Sequence, residues 1–309
     1  MASARILLTG ASGFLGPHVV KALGEAGYRL RLALRRPQAV PAGIETVETG
    51  DLAKPADWRP ALEGVDHVVH MAGLAHAGPG LDEALYARIN TDATLELAQA
   101  AVSAEVKRFV YLSSIKALSG AFDGPPLSEA AQPAPDDAYG RSKLAAEQGL
   151  GQLDLDWVAL RPVLIYGPGV KANMAALLKL ARLPVPLPLG SLRAPRSLLA
   201  AENMADAIRF ALTAEFPARQ VYTVADPEPV SVAEMLAALR SGLGRSPGLL
   251  ALPEPWLRGL ARLAGREETF LKLAGSLVAR PERLLRAGWQ PPAETKAALA
   301  RLAAAPRAG

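Results

Sequence analysis

Three groups of residues have the types and spacing that chemistry needs. Near the start, Thr9-Gly10-Ala11-Ser12-Gly13-Phe14-Leu15-Gly16 sets glycines three residues apart. About 130 residues later, Tyr139-Gly140-Arg141-Ser142-Lys143 sets a phenol and an ammonium four residues apart. Between them, Ser113-Ser114 follows the apolar run Arg108–Leu112. If Tyr139–Leu150 is a helix, Tyr139 and Lys143 share one face. A free phenol has a pKa of about 10 and is a poor base near neutrality. A neighbouring ammonium, joined by the positive ring of an oxidised nicotinamide, favours the phenolate. Lowering that pKa by roughly three units takes about 4 kcal/mol, which a desolvated lysine plus such a ring can supply. A hydroxyl at Ser114 can donate to an oxygen on which charge develops. Singly, Tyr139 reads equally as a packing aromatic and Ser114 as a turn residue. Their conjunction, in this order, points to proton transfer coupled to hydride transfer at a carbon–oxygen bond.

The glycine turn lies between the apolar run Arg5–Thr9 and the helical pattern Pro17–Ala26. Glycines there permit positive φ and let backbone N–H groups approach a phosphate, while the helix start adds unpaired donors. Pro17 fits only in a first helical turn. A tight connection with no ligand is the plainer reading, but the strand before and helix after favour a dinucleotide, held by Gly10, Ser12, Gly13, Phe14, Leu15 and Gly16. The second strand ends Ala33-Leu34-Arg35-Arg36, without the carboxylate that would bind a ribose 2′-hydroxyl. Two guanidiniums suit a 2′-phosphate, so NADP(H) is expected over NAD(H), unless both arginines are simply solvated. Asp51 and Leu52 are placed to meet the adenine, and Ala72, Gly73 and Leu74 to pass the ribose or phosphates.

Those residues need a wound sheet beneath them. Arg5–Thr9, Arg29–Leu34, His67–Met71, Arg108–Leu112 and Trp157–Leu160 read as buried strands, alternating with helical stretches such as Leu81–Ser103. The pattern predicts an α/β fold, a Rossmann-type doubly wound parallel sheet. Arg161-Pro162-Val163-Leu164-Ile165-Tyr166-Gly167-Pro168 reads as loop, since proline cannot donate to a ladder. Beyond it, Ala201–Leu212 and Val232–Gly242 read as helices and Val221–Ala225 as a strand rejoining the sheet. The dinucleotide-binding domain is expected over 1–165, with 198–226 returning to it. A smaller, mostly helical substrate domain takes 166–197 and 227–309, with Ala303–Gly309 frayed.

Composition narrows the classes. The chain has 309 residues, half of them hydrophobic, a net charge of +4 and no cysteine. Disulfides and thiolate chemistry are thereby excluded. No basic run suggests nucleic acid, and no apolar run is long enough to span a bilayer. With no signal-peptide pattern at the start, a cytoplasmic location is expected. His67 and His70 alternate across a strand and cannot share a metal, while His18 and His76 read as surface or loop residues, so no metal is expected.

With these motifs in place, the chain resembles the extended short-chain dehydrogenase/reductase superfamily, in particular its nucleotide-sugar epimerase/dehydratase group. The resemblance spans nearly the whole chain. Thr9–Gly16 is similar to that group's Thr-Gly-x-x-Gly-x-x-Gly turn, and Ser114, Tyr139 and Lys143 match its catalytic triad. It implies a structural and relay role for Asn90, and places Pro162, Val163 and Leu164 under the nicotinamide. It further implies a UDP-sugar held by Asn173 and Arg196 at its diphosphate, with Pro188-Leu189-Gly190 beside the uridine. The 4,6-dehydratases of the group carry Thr-Asp-Glu where this chain has Ser114-Ile115-Lys116, which argues against dehydration. Arg35 and Arg36 depart from 4-epimerases that hold NAD permanently. Ser113–Lys116 and Gly169-Val170-Lys171-Ala172-Asn173 are similar to a UDP-glucose 4-epimerase-like subgroup that includes reductases of UDP-4-keto sugars. The expected activity is therefore NADP(H)-dependent reduction of a UDP-linked 4-keto sugar. A UDP-hexose 4-epimerase with tightly bound NAD is the alternative, and a non-catalytic dinucleotide sensor a third. A homodimer through Leu81–Ser103 and Tyr139–Leu150 is a further implication of the resemblance.

Overall fold

The computed structural model describes residues 3–75, 82–120, 123–170, 172–213 and 215–305. Among these, seven strands form one parallel sheet: β1 (Arg5–Thr9), β2 (Arg29–Leu34), β3 (Glu45–Glu48), β4 (His67–His70), β5 (Arg108–Leu112), β6 (Trp157–Pro162) and β9 (Gln220–Val224). Their spatial order is β3-β2-β1-β4-β5-β6-β9. The order reverses beside β1, which leaves a crevice at the carboxyl ends of β1 and β4. Ile6, Leu7 and Leu8 of β1 are all fully buried, because helices cover both sheet faces.

On one face, α1 (Gly16–Glu25) packs with α7 (Ala201–Ala211) through Val19, Leu23, Met204, Ala205 and Ile208. On the other, Leu97, Ala98 and Ala101 of α4 (Ala93–Ser103) join Ala146 and Leu150 of α5 (Ala138–Leu150). A further core unites α6 (Ala172–Ala181), α8 (Val232–Gly242) and α12 (Thr295–Ala304) through Met174, Leu177, Leu236, Leu239 and Leu299. A reciprocal cap of Ser231 and Glu234 starts α8. The remaining helices are α2 (Arg59–Leu62), α3 (Glu83–Tyr86), α9 (Glu254–Leu263), α10 (Glu267–Ala274) and α11 (Glu282–Arg286).

Two elements differ from the sequence reading. The stretch read as loop from Arg161 continues β6 through Pro162 and then forms β7 (Leu164–Tyr166), which pairs with β8 (Leu198–Ala200) in a separate two-stranded sheet. Pro162 is tolerated because β5 has already ended, at the partner of Leu160, and the next amide, Val163 N, carries the ladder onward to the Val224 carbonyl. The helix read over Leu81–Ser103 begins outside the described residues and is not uniformly α. Between α3 and α4, residues Ala87–Asp92 are wound as π-helix.

The core around α1 and α7 and the core around α6, α8 and α12 are tied together at Asp226, which is 1% exposed. Its carboxylate accepts from Asn203 Nδ2 (2.7 Å), the Ala200 amide and the Tyr166 hydroxyl. Asn203 also brackets the Ala293 backbone, donating to its carbonyl and accepting from its amide.

Candidate active site

The glycine turn closes at the carboxyl end of β1. Gly10 has φ +76°, and a Cβ there would stand 2.6 Å from the Ala72 amide nitrogen. Gly16 carries α1 against the turn so closely that a Cβ would fall 1.8 Å from the Ala11 carbonyl oxygen. Gly13 is exposed, and a Cβ would meet only the Gly10 oxygen at 3.2 Å. Leu15 occupies the N-cap of α1 without a capping side chain. Among the described residues, neither the Phe14 nor the Leu15 amide donates to a backbone carbonyl. Donors at an uncapped helix start form a cradle for a pyrophosphate.

The wall of the crevice is Ala72-Gly73-Leu74, after β4. Thr9 Oγ1 accepts from the Ala72 amide (3.1 Å), and Asn90 grips Leu74 at both its amide (2.8 Å) and its carbonyl (3.1 Å). Asn90 is fully buried on the π-helical stretch, and its Nδ2 also donates to Ser142 Oγ on α5. The extra residue that a π-turn inserts turns Asn90 toward both partners. Gly73 remains exposed: a Cβ there would stand 2.8 Å from Asn90 Oδ1 and 3.3 Å from Lys143 Nζ.

Ser114, Tyr139 and Lys143 meet at the carboxyl end of β5. Ser114 caps the short 3₁₀ turn Ile115–Ala117, accepting from the Lys116 amide. Asp137 caps α5 by accepting from the Gly140 amide (2.7 Å) and pairs with Lys116, which locks the two turns together. Burial raises the Tyr139 pKa, a side-chain hydrogen bond with Ser114 opposes it, and the Asp137 charge adds to the rise. Lys143 is 4% exposed; its Nζ donates to the Leu112 carbonyl (2.8 Å) and lies 4.8 Å from the Tyr111 ring centre. Burial lowers its pKa to about 8, against the pull of Glu147. Nζ stands 6.0 Å from the Tyr139 ring centre and is not among the groups that lower the phenol's pKa. Of the two sources expected to acidify Tyr139, the lysine and the positive nicotinamide ring, the lysine is thus not one that acts in the protein by itself. The protein's own groups keep the phenol protonated, and further acidification must come from a bound positive charge.

Beneath the trio lie residues that spacing did not single out. Glu147, one turn beyond Lys143, makes a buried two-pronged pair with Arg161 of β6 (2.9 and 2.5 Å) and accepts from Ser113 Oγ (2.5 Å). The pair fixes α5 on the ends of β5 and β6. His70, fully buried, joins Thr9 Oγ1 at Nδ1 (2.7 Å) and Thr94 Oγ1 at Nε2 (3.0 Å), and Thr94 donates to the Asn90 carbonyl. Since Thr94 uses its proton there, Nε2 carries the ring hydrogen and Thr9 donates to Nδ1. Burial lowers the His70 pKa to about 3, so the ring is neutral. The alternation seen in sequence separated His70 from His67 without revealing these partners.

The other sequence-derived positions distribute as follows. Arg35 and Arg36 are exposed just past β2, and Asp51 closes an exposed turn through the Ala53 amide while Leu52 is half-buried. Ser12 is exposed, Phe14 packs edge-on against His18, and Pro162 and Val163 are buried, whereas Leu164 is 47% exposed. Asn173 is exposed at the start of α6, and Leu189 is half-buried in the loop before β8. Arg196 donates from Nε and Nη2 to the Gly275 carbonyl (2.9 and 2.8 Å). His76, Lys171 and the last four residues lie outside the described residues.

Known proteins resemble this arrangement. Residues 6–225 match the family model described as NAD dependent epimerase/dehydratase family. A UDP-glucose 4-epimerase from Vibrio cholerae is 35% identical over 300 residues, covering 93% of this chain and 90% of that protein. A ceramide reductase from Caulobacter vibrioides is 31% identical over 257 residues, covering 81% of this chain and 74% of that protein. Among solved structures, UDP-N-acetylglucosamine 4-epimerase from Bacillus cereus shares the fold with a TM-score of 0.77 at 22% identity, covering 97% and 96% of the two chains. MoeE5, solved in complex with UDP-glucose and NAD, has a TM-score of 0.74 at 25% identity, covering 97% of each chain. The glycine cradle, the strand-end serine, the tyrosine–lysine helix and this breadth of similarity lead to one assignment: the chain belongs to the NAD dependent epimerase/dehydratase family of enzymes.

Proposed function

We propose that this chain is a UDP-sugar 4-epimerase that works with NAD. The observation that carries the chemistry is the meeting of Ser114, Tyr139 and Lys143 beside the exposed backbone of Gly73. The choice of epimerase is supported by the near full-length similarity to the Vibrio cholerae protein. In this reading Gly10–Gly16 seats the pyrophosphate, Asp51 and Leu52 border the adenine, and Ala72–Leu74 with Asn90 line the ribose side. Pro162, Val163 and Leu164 lie under the nicotinamide. Asn173, Leu189 and Arg196 face the nucleotide sugar. Residues 1–165 and 198–226 serve the cofactor, and 166–197 and 227–309 serve the substrate.

Bound in that seat, NAD supplies a hydride acceptor and donor. Tyr139 takes the proton of the sugar C4 hydroxyl as that carbon becomes a ketone, and returns it once the sugar presents its other face. Ser114 holds the C4 oxygen throughout. Lys143 has one carbonyl partner on three donors, so it can bind ribose hydroxyls while keeping a positive charge near the phenol.

A second reading, an NADPH-dependent reductase of a keto group, is favoured by Arg35 and Arg36, two exposed guanidiniums just past β2 of a kind that suits a 2′-phosphate. The deciding experiment incubates the purified protein with UDP-glucose and with UDP-N-acetylglucosamine, follows the C4 epimer by NMR, and identifies the nucleotide released on denaturation. The epimerase reading expects epimer without added reductant and NAD in the released fraction. Consumption of NADPH with a UDP-4-keto sugar, and no epimer, would replace it with the reductase. Tyr139→Phe should retain the nucleotide and lose turnover by about 10²–10⁴-fold; full activity in that variant would remove Tyr139 from the mechanism.

A further inference from the structure

Helix α9 has three sides of different character. Leu257 faces the core. Trp256, Leu260 and Leu263, spaced i, i+4, i+7, form an apolar stripe that is 73%, 58% and 87% exposed. Arg258 and Arg262 lie on the opposite flank, both pointing to Glu267 and both more than half exposed. The stripe does not stand alone. Leu250 and Leu252, both exposed, lead into α9. The Leu187–Leu249 bridge sets exposed Leu183 and Val185 beside them. Seven of the ten exposed large hydrophobic residues described are thus drawn from two neighbouring segments.

Those segments are also where the chain keeps its positive charge. Stretches 172–197 and 240–275 together carry ten lysines and arginines against three carboxylates, Glu254, Glu267 and Glu268. Of the ten, Arg240 is buried on the Gly248 and Val185 carbonyls and Arg196 turns to the Gly275 carbonyl, so the outward charge comes from the others. The whole chain has a surplus of only +4, so everything outside these stretches is net negative. A helix with aromatic and leucine residues on one flank, arginines on the other, and a basic surround has the character of an interfacial helix. We propose that this surface, centred on Trp256, Leu260 and Leu263, docks on an anionic phospholipid bilayer. The stripe would enter the headgroup–acyl boundary while the surrounding cations meet lipid phosphates. A second copy of the chain is a poorer occupant, because two such surfaces would set like charge against like.

The molecule carries its own probe. Trp58, Trp157 and Trp289 are 3%, 7% and 2% exposed, so an emission change on binding reports Trp256. The full chain is mixed with vesicles of phosphatidylglycerol and phosphatidylcholine, or of phosphatidylcholine alone, and followed by co-sedimentation and tryptophan emission. We expect about tenfold or stronger preference for the anionic vesicles, emission moved to shorter wavelength, and weakening by salt. The variant Leu260→Ser/Leu263→Ser should lose binding by about tenfold or more with its circular dichroism unchanged. Three outcomes overturn the proposal. One is no sedimentation with either vesicle. Another is a folded variant that binds as the parent does, which would leave charge alone at work. The third is an emission shift without vesicles that follows protein concentration and a doubled mass, which would make a second copy the occupant.

Discussion

Lys143 holds a charge where charge is disfavoured. Its folded pKa, about 8, lies below the 10.5 of an unburied lysine. Between those values the unfolded chain binds more protons, so this residue makes the protein more stable as pH rises from 8 to 10.5; below 8 the full penalty applies. A drop of that size corresponds to roughly 3 kcal/mol. Lys143→Met should therefore gain about 1–3 kcal/mol in urea unfolding at pH 7, and the gain should shrink as the pH approaches 10. It should also abolish turnover, the trade between stability and activity usual at a strained site. Tyr139 and Lys143 were legible in sequence because their spacing is helical. Their electrostatics were not, since burial depends on Tyr111 of β5 and Arg161 of β6, which arrive from other elements.

The turn before α1 separates two uses of glycine that sequence treats alike. Gly16 is required by packing, because a Cβ would collide with the Ala11 carbonyl, which cannot move without the strand. Gly13 is exposed, and a Cβ there would press on one atom alone, the Gly10 carbonyl oxygen at 3.2 Å, a tight contact but far from the collision at Gly16. Gly16→Ala should destabilise the protein by at least about 1–3 kcal/mol in denaturant unfolding. Gly13→Ala should lose clearly less stability than Gly16→Ala and lose nucleotide affinity, measured by calorimetry. Equal losses of stability in both variants would contradict this division. Helix and strand cores were readable from periodicity, as in β1, α5 and α8. The π-turn at Asn90 and the strand β7 were not, because one arises from a long-range grip on Leu74 and Ser142 and the other from pairing with a segment more than thirty residues on.

Across the whole molecule, the chain passes repeatedly between its cores. Asp226, at the end of β9, collects Ala200, Asn203 and Tyr166, and Tyr166 also donates to the Thr295 carbonyl on α12. Asp226→Asn would turn one acceptor into a donor facing donors, a loss of about 1–3 kcal/mol. Chemical denaturation should show a lower midpoint and still a single transition; two separated transitions would mean that the cores joined at Asp226 unfold independently. The glycine turn and strand order made the wound sheet legible, but no periodicity announces Trp289, which fills the first core and donates to Asp206 from the far end of the chain. That late tryptophan has a consequence for biosynthesis. A ribosome making this protein releases the nucleotide-seating strands long before the residue that seals the layer behind them, so the nascent polypeptide must wait, with that core open, until Trp289 has emerged.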